Sequence, residues 1–442
     1  MATTYLTRTA TANNNSVGKW TFSCWVKRMK TGDETNLISF YSTGAYRSAL
    51  RFDSDDKIRF YEVWNSSTIV AKVSTRVFRD TSAWYHIVLA VDKTVSTPDT
   101  QIYVNGEAIT SWSTDDDYTQ NESGKFNDAE PIYINAESSV GGGSNVRDIL
   151  LSHVHFVDGT TYAASDFGET DSTTGEWKIK TSPSVTYGTN GFFILKDGNS
   201  VTDQSGNGNN FTVAAGTLTN TEDCPSNVFA TLNPLHKGTM LTGFTFANGN
   251  NTFTAGSTNY PFTCSSLAVS TGKWYAEFKT TANANQIGIG ISAGVASPYI
   301  GHNQYDYAYY GNNGNIITNQ TQGTTYGTGL STNDILGVAM DLDNNKLYFS
   351  VNGSWQNSAN PSSGTGGLSI TAPSSTTTGV YHFALGDEAA STPSVQCNFG
   401  NGRFGTTAVA SANADANGHG AMEYTVPSGY YTLNTKNIKE FG

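Results

Sequence analysis

The chain has 442 residues, 25 Lys and Arg against 37 Asp and Glu, a net charge of −12, and only 14% charged residues, where roughly 25% is usual. An acidic balance without a Lys/Arg cluster excludes binding to a phosphate backbone, and no apolar run approaches the ~18 residues of a membrane helix. Gly, Asn, Ser and Thr dominate instead, so the surface is neutral, polar and rich in turns, and the length allows two to four domains.

The amino-terminal stretch MATTYLTRTATANNNS lacks the apolar core of a secretory signal, so the sequence predicts no entry into the standard export route. In GKWTFSCWVKR (18–28), Trp20, Phe22, Cys24 and Val26 share one face and Thr21, Ser23 and Lys27 the other. That is the period of a strand. Asp53, Asp55 and Asp56 in FDSDDK read as a turn. WYHIVLAVD (84–92) is apolar on both faces after His86, as a strand buried between two layers must be. QIYVNGE (101–107) closes on Asn105-Gly106, a pair that supplies the positive φ angles of a tight hairpin.

Farther along, His153 and His155 share a strand face, a geometry that could hold Zn²⁺ or Cu²⁺ given a third ligand. Asp158 is the local candidate, but it sits in an Asp-Gly turn. The favoured reading places Val154 and Phe156 in the core and the histidines outward, without a metal. Glu169, Asp171 and Glu176 come nearest to the paired carboxylates of a glycosidase, which must lie on one strand face ~5–5.5 Å apart for retaining chemistry. Their spacing is too long, and Ser-Thr-Thr-Gly between them reads as a loop.

The second half repeats the first: GKWYAEFK (272–279), DILGVAMDLD (334–343) and KLYFSVNGSW (346–355), closing on Asn352-Gly353. In IGIGI (287–291) Ile287, Ile289 and Ile291 share a face and glycines fill the other. Asp341, Asp343 and Asn345 imitate the start of an EF-hand loop, but Lys346 stands where its glycine belongs and Asn352 where its glutamate belongs, so the segment reads as a hairpin. Cys24, Cys224, Cys264 and Cys397 lie far apart without a CxxC pair and are expected reduced. Isolated GxG patterns fall inside strands, lacking the helix that phosphate binding needs.

The sequence therefore predicts an all-β chain of two tandem modules. The first half resembles the laminin G-like, concanavalin A-type jelly roll of bacteriophage structural proteins, through YLTRT (5–9), WTFSCWVKR (20–28), WYHIVLAVD, IYVNGE (102–107) and above all LSHVHFVDGTTYAASDFGETDSTTGEW (151–177). The second half resembles a SPRY domain, also a concanavalin A-like sandwich, through GKWYAEF, IGIGI, YAYYGNNG (307–314), DILGVAMDLDNNKLYFSVNG and VQCNFGNGRFG (395–405). A DxSGNGN segment like that at 203–209 opens many laminin G-like domains. Here it follows the module, so 203–215 is expected to return to it as a permuted strand and protect a sheet edge. The expected limits are 1–218 for the laminin G-like jelly roll, 219–240 for a linker, 241–410 for the SPRY-like sandwich and 411–442 for a tail.

The suggestive surface is YIGHNQYDYAYYGNNG (299–314). Tyrosine rings among amides suit sugars, which present apolar C–H faces and many hydroxyls. Tyr299, His302, Tyr305, Tyr307 and Tyr309 form the candidate ligand-binding set, with Tyr310 beside them; Tyr307 and Tyr309 also alternate as ordinary core residues of a strand do. No catalytic residue, metal ligand or cofactor is assigned, although laminin G-like domains sometimes hold Ca²⁺ at loop carboxylates, which leaves a weak site in the first module open.

The pairing of modules, with VPSGYYTLNTKNIKEFG (426–442) behind them, resembles virion appendage proteins of tailed phages. The resemblance implies a non-enzymatic virion structural protein, a tail fibre, tail tip or head decoration, assembled in the host cytoplasm and displaying lectin-like domains toward a host glycan or receptor. Its implied partners are other virion proteins and further copies of itself, as in trimeric fibres, with neither nucleic acid nor membrane insertion. The alternatives are a glycan-cleaving enzyme of the same fold, a purely structural virion component, and an intracellular scaffold binding peptides through its SPRY domain.

Overall fold

Alternation of apolar and polar residues builds a sandwich in each half of the chain. The computed structural model describes residues 4–13, 18–138, 143–236, 243–256, 260–295, 298–388 and 391–442, and divides into two units, Met1–Asn220 and Thr221–Gly442. Among these residues α-helix is confined to Ala164–Phe167 and Thr435–Phe441.

In the first unit an eight-stranded sheet runs in the order Trp112–Asp116, Ser67–Val77, Lys57–Trp64, Tyr46–Phe52, Thr35–Thr43, Pro131–Ile134, Tyr5–Thr9, Thr212–Ala215. The facing sheet has six strands: Phe192–Ile194, Ile149–Asp158, Lys19–Arg28, Trp84–Asp92, Asp99–Val104 and Glu107–Ala108. Trp20, Phe22, Phe40, Phe60, Leu89 and Phe156 fill the space between them. Trp20 stacks on Phe126 with centroids 4.0 Å apart and meets Phe60 edge-on at 5.7 Å, geometries that aromatic quadrupoles favour. Thr212–Ala215 pairs antiparallel with Tyr5–Thr9, so the return segment covers an edge that the chain's start leaves open.

The outer face of the six-stranded sheet is apolar too, and it is covered. Val88 and Val157 pack against Ala164 and Phe167, with Tyr162, Trp177 and Tyr187 alongside. This cover corrects the expected outward histidines. Val154 and Phe156 do enter the core, but both histidines are buried, His155 beneath Phe167 and Tyr187 of the 160–190 segment and His153 beside Phe193. His155 stacks on Phe193 at 3.9 Å and its Nδ1 lies 2.9 Å from the Tyr187 hydroxyl. His86 is enclosed between Trp177, whose Nε1–H donates to Nδ1 at 3.0 Å, and Ser23 Oγ, 2.9 Å from Nε2. Nδ1 must then be unprotonated, and Nε2 carries the proton.

In the second unit, seven strands follow Phe244–Ala247, Thr252–Ala255, Ser394–Asn398, Lys273–Ala282, Ile335–Asp341, Lys346–Val351 and Ser354–Trp355, with Leu368–Ser369 and Tyr431–Thr432 paired beside that path. The facing sheet runs Phe262–Cys264, His382–Asp387, Ile287–Ser292, Tyr307–Tyr310, Asn315–Thr318, Thr321–Thr325. Trp274, Phe278, Ile289, Leu336, Phe349 and Phe383 form the core between them.

Two expected boundaries differ. Residues 221–236, expected as linker, belong to the second unit: Ala230 and Leu232 enter its core and Phe229 bridges to Asn434. Residues 237–240 of that linker lie outside the described residues. The expected tail is a structural layer, because Met422, Val426 and Tyr430 cover Tyr275, Ala339 and Tyr348 on the outer face of the larger sheet. Two buried carboxylates hold it there. Glu277 accepts the amides of Glu423 and Tyr424, each at 2.8 Å. Asp415 accepts Thr432 N at 2.9 Å, Thr432 Oγ1 at 2.7 Å and Asn437 Nδ2 at 2.7 Å.

Two outcomes follow from this packing. A chain ending at Ala410 loses Met422, Tyr430 and Leu433, all fully buried, and each such truncation costs about 2–5 kcal/mol. Its second module is expected to lose its cooperative thermal transition, and an unchanged transition would contradict the tail's place in the fold. In the first module, burial pushes His86 down to about 3, His153 to about 4, and His155 well below its ordinary value. The unfolded chain takes up these protons near pH 6.5 while the folded one does not, so stability is fully present above about 6.5 and falls by about 1.4 kcal/mol per pH unit per histidine below it. Scanning calorimetry from about pH 7.5 to about 4.5 should show the first module's transition moving down. A pH-independent transition would mean these rings are not buried neutral.

Candidate functional site

The site forms on the outer face of the smaller sheet of the second module, where small residues leave room. Ile287, Ile289 and Ile291 point into the core, and Gly288 and Gly290 lie on the other face. Phe383 and Leu385 likewise point inward while Ala384 faces out, and Phe262, Cys264, Ala308, Ala384 and Ile300 make a small cluster of their own. Ile300 belongs to the loop before Tyr307–Tyr310, so this loop is pinned flat on the sheet. A Cβ on Gly288 would come 2.9 Å from Ile300 Cγ2 and 2.6 Å from Glu388 Oε1. Glycine there is a condition for the cover.

The pinned loop carries rings to the surface. Tyr299 meets His302 edge-on, with centroids 5.2 Å apart and planes at 88°, and Tyr260 stands 6.3 Å from Tyr299 at 54°. Tyr260 is 38% exposed, while Tyr299, His302 and Tyr310 are half-buried. Tyr260, Tyr299 and His302 form a shelf with aromatic faces and polar tips. Two carboxyl groups lie close by, Glu388 acting electrostatically on Tyr299 and Asp306 near His302. Asp306 is fully buried and accepts the Asn303 amide at 3.3 Å; burial pushes it up to about 6, against the pull of hydrogen bonds from Ser292 and backbone amides. Glu388 is half-buried as a residue, but its Oε1 is enclosed without a hydrogen-bond partner. Burial, then the charges of Asp387 and Asp306, hold its carboxyl well above the usual range.

The five candidate residues separate. Tyr307 and Tyr309 are core residues, 7% and 0% exposed, and are corrected out of the ligand-binding set. The Tyr307 hydroxyl lies 3.1 Å from Thr371 Oγ1 and accepts Thr371 N at 3.0 Å, and Tyr309 donates to the Thr328 carbonyl. Tyr305 is half-buried and packs against the main core. Tyr299 and His302 remain at the surface, joined by Tyr260 and Glu388, which the sequence reading did not single out. Tyr260 lies in an earlier segment, and nothing local marks a lone tyrosine before Pro261 as the neighbour of Tyr299.

Elsewhere the carboxylates serve turns. Asp171 accepts the amides of Thr173 and Thr174 at 2.8 and 3.0 Å and pairs with Lys178 at 2.8 Å, while Glu169 stands opposite Lys178 in the hairpin of Gly168–Thr170 and Trp177–Ile179. Asp341 accepts the Asn344 amide at 2.9 Å within its hairpin. Asp56 binds the Gly32 amide at 2.8 Å and pairs with Arg28 and Arg79. Among the described residues, no group of three or more His, Cys, Asp or Glu side chains is placed to hold a metal ion. All four cysteines are free.

Residues 2–160 match the model of the concanavalin A-like lectin/glucanases superfamily of laminin G type, and residues 273–368 match that of the SPRY domain. No curated protein matches the chain. Among solved structures, the SPRY domain of human HERC1 is similar over 38% of this chain and 96% of its own, at 15% identity and a TM-score of 0.31. The native heptameric SAP-like pentraxin from Limulus polyphemus covers 36% of this chain and 72% of its own, at 13% identity and a TM-score of 0.27. A putative carbohydrate binding protein from Bacteroides ovatus covers 50% and 58% respectively, at 16% identity and a TM-score of 0.31. This chain thus carries a concanavalin A-like domain of laminin G type followed by a SPRY domain, two tandem jelly-roll sandwiches in one all-β protein.

Proposed function

We propose that this protein is a non-enzymatic binding protein of a tailed-phage virion, in a tail fibre, tail tip or head decoration, that attaches to a neutral host glycan through its second module. The observation that carries the binding reading is the surface cluster of Tyr260, Tyr299 and His302 on and beside the loop that Ile300 pins to the sheet. Sugar rings stack on aromatic faces and hydrogen-bond to neutral donors and acceptors at their rims. The virion reading rests on sequence resemblance alone: the order of the two modules and the VPSGYYTLNTKNIKEFG stretch. It implies assembly in the host cytoplasm, with other virion proteins and further copies of this chain as partners.

An attachment role also suits the chemistry of the surface. With 14% charged residues, little long-range field steers a ligand, so each contact is weak, depends little on salt, and gains from repetition. The carboxylates Glu169 and Asp171 serve a hairpin, which supports a role without hydrolysis.

Replacing Tyr299 and His302 by Ala, with Tyr260→Ala added in a second variant, should reduce adsorption of the purified protein to host cells by about tenfold or more, the value of one good contact. Thermal unfolding should stay unchanged, because these side chains lie outside the core. Undiminished adsorption removes the shelf from the binding surface, and no adsorption by the unaltered protein leaves a purely structural virion role. Incubation with host polysaccharide should release no reducing sugar. Release that disappears in Glu388→Gln or Glu169→Gln would make the protein a glycan-cleaving enzyme.

A further inference from the structure

The outer face of the six-stranded sheet in the first module is covered by a segment that has little structure of its own. Between Thr160 and Tyr187 the regular elements are the four-residue helix Ala164–Phe167 and a hairpin of two three-residue strands, Gly168–Thr170 and Trp177–Ile179. Ala164 and Phe167 are buried, while Tyr162, Trp177, Val185 and Tyr187 are only half-buried. A cover with so few enclosed apolar groups belongs to the low end of local stability, below the sandwich it lies on. Its ends are tied to the sheet: Tyr162 N donates to Thr21 Oγ1 at 2.8 Å, and Asp158 N donates to the Tyr187 carbonyl at 2.8 Å.

The polar tips of its two large rings reach the sheet at histidines. The Trp177 indole N–H donates to His86 Nδ1 at 3.0 Å, and the Tyr187 hydroxyl lies 2.9 Å from His155 Nδ1. The indole has a fitted seat, since a Cβ on Gly106 would come 2.6 Å from its ring and one on Gly168 2.5 Å. Indole can only donate, so a proton on His86 Nδ1 ends that bond. Tyr85, Ile87, Val154 and Phe156 point into the core, which leaves His86 and His155 on the outer face. A charge on either ring therefore falls on the joint between cover and sheet, not inside the sandwich. His86 stacks between Trp25 and Trp177, with Ser23 Oγ at Nε2. His155 lies among Phe167, Tyr187 and Phe193, and the titratable groups acting on it are His153 and His86, while His153 in turn faces Lys196 and Asp197. The carboxylates around the cover are engaged or exposed. Asp166 accepts the Ala163 amide, Asp171 pairs with Lys178, and Glu169 and Glu176 are exposed. Asp158 accepts Asn127 Nδ2 and Asn190 N, and Asp203, whose charge reaches Tyr187, accepts the amides of Phe193, Ser205 and Asn209.

We propose that residues 160–187 are an acid-operated latch: protonation of His86 and His155 frees Trp177 and Tyr187, the cover lifts, and the apolar face around Val88 and Val157 is uncovered while the sandwich stays folded. Lifting brings both rings into water, where an imidazole takes up its proton at the ordinary value of about 6.5. Below that value opening becomes easier by about tenfold per pH unit for each histidine, and above it the latch is closed. The latch stands apart from the glycan reading and adds a local step ahead of the module's loss of stability in acid.

The test is hydrogen exchange of the full chain, followed by mass spectrometry and expressed as protection, the measured rate relative to the intrinsic rate at each pH. Between about pH 6 and about pH 5, peptides within 160–187 should lose about tenfold in protection for each histidine, while Lys19–Arg28 and Trp84–Asp92 keep theirs. His86→Gln, whose amide oxygen still accepts from Trp177 and does not titrate, should remove about tenfold of that loss, and His155→Phe, which packs among the same rings, should remove the other tenfold. Protection of 160–187 that does not change with pH overturns the latch. So does protection that falls together with that of the two strands, which is unfolding of the whole module, and so does a pH response that persists in full in both variants. Should neither variant fold, the comparison of cover and strands in the unaltered chain decides.

Discussion

Each module hangs on one strand held from both sides. In the first, Lys19–Arg28 lies between Ile149–Asp158 and Trp84–Asp92; in the second, Lys273–Ala282 lies between Ser394–Asn398 and Ile335–Asp341. Each presents a fully enclosed tryptophan, Trp20 or Trp274, to its core. The neighbouring hairpin is clasped in the same way in both. Asn105 Oδ1 accepts the His86 amide at 2.8 Å while its own amide donates to the His86 carbonyl; Asn352 Oδ1 accepts the Ile335 amide at 2.9 Å and returns the same bond. Both asparagines have positive φ, +51° and +49°, which asparagine tolerates better than most residues. The sequence repeat is thus the trace of one mechanical unit used twice.

A strand buried on both faces creates a demand that the sandwich alone cannot meet. The inner face finds the opposite sheet, and the outer face needs something else, because an open apolar face of this size would associate with other chains. The first module answers with the 160–190 segment, and the second with the carboxy-terminal layer on one sheet and the 298–306 loop on the other. The candidate site lies on one of these covers. Tyr187 is part of the first cover, and Tyr299 and His302 ride on the loop that Ile300 pins. Residues that complete a fold from outside are the ones whose other side meets solvent, which is why the candidate groups collect there.

The strands were legible because their signals are local: two-residue alternation in Trp20 to Val26 and Ile287 to Ile291, and the Asn-Gly turns. The covers were not, because their contacts span the chain. Residues 219–240 carry the turn residues of a linker, yet Leu232 is anchored by a core assembled from later strands. The carboxy-terminal layer is polar enough to read as a tail, since its attachment runs through Glu277 and Asp415, whose partners no periodicity reveals. His153 and His155 lie with ring centroids 6.4 Å apart although a bulge between Ser152 and His155 interrupts the alternation there, and burial of His155 depends on Tyr187 and Phe193 arriving from elsewhere. At the shelf, Tyr299 and His302 could be named from their loop. Tyr260 and Glu388 could not, since only pairing with the strand His382–Asp387 brings them near.

Polar groups inside this protein are costly, and the fold divides them by how completely they are satisfied. Glu277, Asp415 and Asp203 are ringed by donors and act as fasteners, for which losing one partner would leave a buried polar group unsatisfied. Glu388 has an enclosed oxygen without a partner, and burial pushes its carboxyl well above the usual range. A fastener exchanges its solvation for fixed hydrogen bonds and has none to offer a ligand. An enclosed carboxyl oxygen without a partner carries an uncompensated desolvation cost instead. That difference, rather than the number of tyrosines, separates the shelf from the tyrosines of the core: Tyr307 and Tyr309 have spent their hydroxyls on Thr371 and Thr328, and the enclosed Glu388 oxygen near Tyr299 has no partner.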